Sequence, residues 1–323
     1  MTRVAVIGAG AFGRNHVRVV SENQRAQLTH VVDLNAKRAR EQAELYGASA
    51  ASSVDEILGQ VDAAIIAAPT SAHAEIGCRL LEAGIDVLVE KPIAATLADA
   101  DSLVEVASRH GRILQVGHLE RFNPAVVELE RLATLPLFFE IHRMSVFTLR
   151  SLDVDVVLDL MIHDLDIVLA LARAKLADIR AAGISILSPK VDIANVRLEF
   201  EDGCVANLTA SRVSTEKIRK LRIFQPSQYI SLDYANQSAV VCTVGGDAGL
   251  AFDQLSIKNG EPLKLQLDAF LDAVETRKQP KLSGAVARRT LEVALAVLDK
   301  IEQHAALVGN TLADHSQATG WKP

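Results

Sequence analysis

Up to about Gly117 the chain alternates short apolar runs with stretches of helical period. Residues 3–7, 28–32, 61–68, 86–89 and 112–116 are β-branched or continuously apolar, the pattern of parallel strands buried on both faces. Helical stretches lie between them, and Ser53 with Glu56 and Thr96 with Asp99 have capping-box spacing. Such alternation predicts a doubly wound parallel α/β sheet. Beyond it the pattern changes. Pro124 starts a helix reaching about Ala133, "LFFEIHRMSVF" reads as a strand, and Asp202-Gly203 is a hairpin turn between alternating runs. Residues 263–276 and 285–304 have helical period, and 311–323 read as a polar tail. This second part is antiparallel-rich α+β. The change places a boundary between a domain of residues 1–118 and one of 119–323.

Composition narrows the class. A chain of 323 residues exceeds one ordinary core and suits two domains. Its 49% hydrophobic and 23% charged residues are usual for a soluble globular protein. No apolar run reaches the roughly 18 uncharged residues of a membrane span, and MTRVAVIGAG enters a strand at once, without the parts of a signal peptide. Cys78, Cys204 and Cys242 are far apart and lack CxxC spacing, which fits a reducing cytoplasm better than a disulfide framework or a zinc site. A net charge of −6 argues against nucleic acid as a partner. What remains is an enzyme of small-molecule metabolism.

Into the first pattern falls "VAVIGAGAFGRNH". Gly8, Gly10 and Gly13 form GxGxxG directly after a strand and opening a helix. The first glycine permits the tight turn, the second lets a pyrophosphate approach the backbone, and the third lets helix and strand pack closely. The helix N-terminus adds unpaired N–H groups for the phosphates. Asp33 ends the second strand twenty residues after Gly13, where a carboxylate accepts from an adenosine ribose and repels a 2′-phosphate. NAD is therefore favoured over NADP, although Lys37 and Arg38 lie close by. Ligands of such sheets lie beyond the carboxyl ends of strands. There Pro69, Thr70 and His73 follow the fourth predicted strand, and Glu90, Lys91 and Pro92 follow the fifth. Proline biases Lys91 toward an extended backbone, holding its ammonium at the nicotinamide end of the groove.

The stretch "VVLDLMIHDLDIVLALA" (156–172) is apolar around most of its circumference. At 100° per residue, Asp155, Asp159, His163 and Asp166 fall within about 80° of one another. Short polar groups in a narrow strip suit the wall of a cleft. Asp159 and His163 are i, i+4 neighbours, and such a carboxylate orients an imidazole as a general base. A solvated helix face and a metal site also fit, the latter needing a third ligand that the sequence does not identify.

With GAGAFG at 8–13, EKP at 90–92 and DxxxH at 159–163, the chain resembles the Gfo/Idh/MocA family of NAD(P)-dependent sugar and cyclitol dehydrogenases over nearly its whole length. The resemblance implies an N-terminal Rossmann domain and a C-terminal α/β domain with a large open sheet, often used for oligomer contacts. It implies a homo-oligomer, dimer or tetramer, and no catalytic metal. Lys91 and His163 become the catalytic pair, with Asp159 supporting them and the division of acid and base roles open. The whole loop, Ala11 and Phe12 included, borders the cofactor, as do Asp33, Pro69, Thr70, His73, Glu90 and Lys91. Members acting on simple sugars often have glycine inside DxxxH, where this chain has Leu160, Met161 and Ile162. "VGHLERFNPAV" and "DLMIHDLDIVL" look most like the branch that oxidises nucleotide-activated amino sugars. That implies oxidation of a hexose hydroxyl to a ketone, the 3-hydroxyl of UDP-N-acetylglucosamine, for lipid A amino-sugar synthesis. His118, Arg121 and Asn123 are expected on the substrate side, and Arg143, Arg212 and Lys217 as candidate cations for the UDP group. A free-sugar or inositol dehydrogenase and a non-catalytic NAD-binding redox regulator are the rival readings.

Overall fold

The computed structural model describes residues 1–148, 154–245 and 249–319. The chain divides into two compact units, Met1–Phe122 with Gly260–Leu291, and Asn123–Asn259 with the residues from Glu292 onward. In the first unit β1 (Thr2–Ile7), β2 (Ala26–Val32), β3 (Ser49–Ala51), β4 (Ala63–Ile66), β5 (Asp86–Glu90) and β6 (Leu114–Gly117) form one parallel sheet in the order β3-β2-β1-β4-β5-β6. Helices α1 (Gly13–Glu22), α2 (Ala36–Leu45), α3 (His73–Glu82) and α4 (Leu97–Arg109) connect the strands. β4, β5 and β6 are buried at every residue, the polar Asp86, Glu90 and Gln115 included, as strands covered on both faces are. Thr96 caps α4 by accepting from the Asp99 amide at 3.1 Å. Ser53 and Glu56 do form a capping box, but on a short 3₁₀ turn, Val54–Ile57.

The single cut at 118/119 does not match these units. After the second unit's strands the chain returns, and α7 (Pro262–Thr276) packs Leu263, Leu267, Phe270 and Leu271 into one core with Val4, Val6, Val17 and Val20. The helix's apolar stripe finds its cover there. At its end Arg277, in the left-handed region at φ 56°, places Nη1 2.5 Å and Nη2 3.1 Å from the carboxylate of Asp86.

The second unit holds α5 (Pro124–Leu132), β7 (Phe138–Val146), α6 (Ile162–Leu171), β8 (Leu176–Ile184), β9 (Ile193–Phe200), β10 (Val205–Ser214), β11 (Ile218–Gln225), β12 (Gln228–Asp233), β13 (Ser238–Gly245) and β14 (Gly249–Gln254). The eight strands run β14-β13-β12-β11-β7-β10-β9-β8. β7 and β10 pair in parallel and the other neighbours pair antiparallel. Alternate residues of β7, β9 and β10 turn inward, so Phe139, Ile141, Val196, Leu198 and Leu208 share a core with Met161, Leu165 and Val168. Val297 and Ile301 of α8 (Gly284–Thr319) join it. α8 runs through the predicted tail, since Gly309 alone costs a helix only about 1 kcal/mol and the next proline is Pro323.

Within this core sits an ion pair. Arg143 of β7 and Asp164 of α6, 2% and 1% exposed, meet bidentately with Nε–Oδ2 at 2.7 Å and Nη2–Oδ1 at 2.8 Å. The Tyr234 hydroxyl donates to Asp164 Oδ1 at 3.2 Å, and its ring lies 5.0 Å from the guanidinium. Removing one partner strands a buried charge, which costs about 3–5 kcal/mol, whereas an apolar pair of similar volume is often neutral. Arg143→Met is expected to lower unfolding stability by about that amount in urea titrations, and Arg143→Met/Asp164→Leu to recover most of it. Equal losses in the single and double variants would contradict this account.

Candidate active site

β1 delivers the chain to Gly8, whose φ of 91° favours glycine. A Cβ on Gly8 would lie 2.6 Å from the Ala67 carbonyl oxygen, and one on Gly13 only 1.7 Å from the Gly8 carbonyl oxygen. The first turn of α1 is thus pressed against the loop. Gly10 differs, with nothing within 4 Å of its Cβ position. It borders a groove of about 750 Å³ shared with Asp33, Arg38, Ser53, Ala68 and Pro69. Phe12 at the N-cap of α1 makes no side-chain cap; the Arg14 and Asn15 amides of the first turn donate to the Gly10 and Phe12 carbonyls at 3.1 and 2.9 Å, and the helix brings the positive end of its dipole to the loop. Asp33 is fixed across the groove. Its Oδ2 accepts from the Ala9 amide and its Oδ1 from the Asn35 amide, each at 2.8 Å. Arg38 Nη1 stands 3.5 Å from Asp33 Oδ2. Ala11 and Phe12 are exposed on the loop, Pro69 is exposed, and Thr70 is half-buried.

His73 and Glu90 stand elsewhere than at the groove border. His73 is 1% exposed, with Nδ1 2.9 Å from the Pro92 carbonyl oxygen and Nε2 2.9 Å from the Ala68 carbonyl oxygen. Burial pushes its pKa below the ordinary imidazole range, against the pull of those carbonyls and of Glu90. It ties the chain after β4 to the turn after β5. Glu90 ends β5 with its carboxyl turned inward to His16 of α1, Oε1 to Nε2 at 2.8 Å. Lys91 follows, half-buried, with a cis peptide to Pro92. His118 and Arg121 are buried in the first unit. In the second, Asn123 is spent on the fold: it accepts from the Ala125 amide at 3.1 Å, capping α5, and donates to the Tyr234 carbonyl at 3.0 Å.

The polar helix has a different geometry from the uniform 100° wheel. Residues Val157–Met161 are π-helical, and the Ile162 amide donates to the Val157 carbonyl. A π-turn inserts an extra residue into the helical repeat and is frequent at functional sites. It leaves Leu158, Asp159, Leu160 and His163 half-buried while Asp166 is buried, so the expected four-residue strip loses its last member. Asp155 is half-buried and accepts from the Val191 amide at 3.0 Å. Two of the expected phosphate cations belong to the interior. Arg143 is committed to Asp164. Arg212, 6% exposed, donates to the carbonyls of Val154 and Val191 and lies 3.6 Å from Asp192. Burial works against that carboxylate's charge. The Ser188 hydroxyl and the amides of Ile186, Leu187 and Ser188 outweigh it and bring the pKa down to about 2. Lys217 is exposed between β10 and β11.

Residues 2–118 match the family model "Oxidoreductase family, NAD-binding Rossmann fold", and residues 137–226 match the "GFO/IDH/MocA C-terminal domain". The UDP-N-acetylglucosamine 3-dehydrogenase of Acidithiobacillus ferrooxidans is 36% identical over 306 residues, which are 93% of this chain and 97% of that enzyme. The chain belongs to the Gfo/Idh/MocA oxidoreductase family. A solved structure of the same Acidithiobacillus enzyme superposes with a TM-score of 0.89 over 94% of this chain and 98% of its own, at 35% identity. Another relative, the scyllo-inositol 2-dehydrogenase (NAD(+)) of Bacillus subtilis, is 26% identical over 91% of this chain and 92% of its own. The first unit carries the NAD-binding domain of a Gfo/Idh/MocA oxidoreductase, and NAD is its cofactor. The groove fits such a group: Gly10 leaves its wall open, the N-terminus of α1 brings the positive end of the helix dipole to the loop, and Asp33 faces it with a carboxylate.

Several neighbours of this Gfo/Idh/MocA site escaped the sequence reading. Ser52 and Ser53 line the groove after β3, a three-residue strand of Ser-Ala-Ala too short and too small to show a period. His16 follows Gly13 by three residues, one helical turn along the same buried face, and that spacing was the available signal. The two glycines separate experimentally. Gly10→Ala is expected to keep the unfolding temperature of the NAD-free protein within about 2 °C while weakening NAD at least about tenfold in calorimetry, because the methyl enters open groove space. Gly13→Ala, which meets backbone, is expected to lower the unfolding temperature itself. Equal behaviour of the two would refute the assignment of Gly10 to the cofactor.

Proposed function

We propose that this protein oxidises the 3-hydroxyl of UDP-N-acetylglucosamine to the 3-keto sugar, in the cytoplasm and as a step toward lipid A amino sugars. The observation that carries the reading is the 36% identity to a UDP-N-acetylglucosamine 3-dehydrogenase along 97% of that enzyme's length. Placement of half-buried Asp159 within the π-turn and of half-buried His163 just after it supports it further.

In this reading residues 1–118 hold NAD and residues 119–323 bind substrate, apart from α7 and the start of α8, which pack with the first unit. Gly8, Gly10, Gly13 and the N-terminus of α1 take the pyrophosphate, and Asp33 takes the adenosine ribose. Bound NAD supplies the acceptor for the hydride that leaves the sugar carbon. His163 removes the hydroxyl proton, with Asp159 orienting its ring, a contribution of roughly 10²–10⁴ in rate. The Lys91 ammonium stabilises the developing alkoxide. Leu158 and Leu160 flank the histidine as half-buried apolar walls. Lys217 is the exposed member of the three candidate cations for the diphosphate.

Incubation with NAD and a panel of UDP-sugars, free hexoses and inositols tests the substrate, followed by absorbance of the reduced nicotinamide and mass spectrometry of products. A mass loss of two hydrogens from UDP-N-acetylglucosamine is expected. Turnover of inositol alone would overturn the substrate, and no turnover of any sugar would favour a redox regulator. His163→Gln and Lys91→Ala are each expected to lower kcat by roughly 10²-fold or more with NAD still bound.

We propose further that the chain is a homo-oligomer joined through the second unit's sheet. β14 is exposed at all six residues, and Val244, Leu250 and Phe252 are more than 60% exposed, an apolar edge that isolated proteins avoid. Light scattering is expected to give a dimer or tetramer, and Phe252→Glu a smaller species. A monomer in both cases would remove the proposal.

A further inference from the structure

Glu90 has no surface to serve. Its side chain is one-tenth exposed, and its two oxygens meet three different elements. Oε1 lies 2.8 Å from His16 Nε2 on α1 and 3.3 Å from Gln266 Nε2 on α7, which donates to it. Oε2 accepts from the backbone amide of Lys91 at 3.3 Å. The space for this carboxyl comes from Gly117 at the end of β6, where a Cβ would stand 2.5 Å from Oε1. His16 is 2% exposed, and its ring meets Phe12 edge-on at 5.3 Å between centroids. The turn that carries Lys91 is therefore held from beneath by the helix that opens on the glycine loop. His73 pins the same turn one residue later, through the Pro92 carbonyl.

We propose that His16 and Glu90 form a positioning pair that sets the backbone of Lys91 from the dinucleotide-binding helix. The pair touches neither cofactor nor sugar in this account. It fixes the start of the lysine side chain, and since α1 opens on the glycine loop assigned to the pyrophosphate, one buried hydrogen-bonded link joins that loop's helix to lysine placement. A loose lysine loses aim at a developing alkoxide, and misplacement of about 1 Å costs on the order of 10²-fold in rate. The inference rests on the reading that Lys91 acts in the reaction.

The test compares His16→Gln with His16→Leu in the full-length protein. The two replacements are close in volume, and glutamine alone retains a donor near the position of Nε2. His16→Leu and Glu90→Gln are expected to lower kcat at least about tenfold, with NAD affinity by calorimetry changed less than about threefold, while His16→Gln keeps most of the turnover. His16→Leu/Glu90→Gln is expected to cost no more than the worse single variant, as for residues acting as one unit. Equal kcat for His16→Leu and His16→Gln, or additive losses in the double variant, would overturn the pair. Lys91→Ala is measured alongside. If it keeps normal turnover, the catalytic reading of Lys91 fails and this inference with it. If it loses turnover while Glu90→Gln does not, only the positioning pair fails.

Discussion

The first unit depends on the approach of α1 to the carbonyl of Gly8. That contact is closer than any side chain tolerates, with the Cβ position of Gly13 1.7 Å from the oxygen. The helix starts there, its first turn bonded back to the loop through the Arg14 amide and the Gly10 carbonyl, and Asp33 comes within 2.8 Å of the Ala9 amide. One turn later His16 reaches the end of β5. The loop, the Asp33 contact and the His16–Glu90 contact thus share one steric condition at two glycines. The sheet supplies the other half of the condition, since the loops after β1, β2, β4 and β5 all leave from its carboxyl edge.

The second unit solves a different problem. A helix that is apolar nearly all round belongs inside a core, yet this one leaves Asp159 and His163 half-buried. The π-turn at Val157–Met161 separates these demands. Within it, Leu158, Asp159 and Leu160 stay half-buried, and after it only His163 does until Leu171, apart from the exposed Ala170. The core side is secured by Asp164, whose bond to Arg143 anchors α6 to β7 directly behind the histidine.

The sequence made the strands of the first unit legible because burial on both faces leaves an unbroken apolar run, and the glycine spacing made its loop legible because backbone geometry admits few residues there. β3 was not legible: Ser-Ala-Ala has neither period nor bulk. Nor was the return of α7, because an apolar stripe declares that it will be covered without declaring by what. Arg143 and Arg212 look like surface cations in the sequence, and only the long-range pairings with Asp164 and Asp192 show that they are interior. The π-turn left no mark either, since a wheel drawn at 100° per residue presupposes the geometry that this segment abandons.

Asp159 and Asp164 show why type and spacing alone under-determine a site. Five residues apart on one helix, they carry the same group. Asp164 has an arginine in a two-point contact, a tyrosine hydroxyl and almost no exposure, so its charge is neutralised where it stands and its work is to hold the helix. Asp159 is half-buried within the π-turn. A carboxylate held by a buried guanidinium serves the fold, and burial, not residue type, separates the two. The difference lies in Arg143, twenty-one residues upstream of Asp164 on β7, whose two-point contact commits that carboxylate to the core.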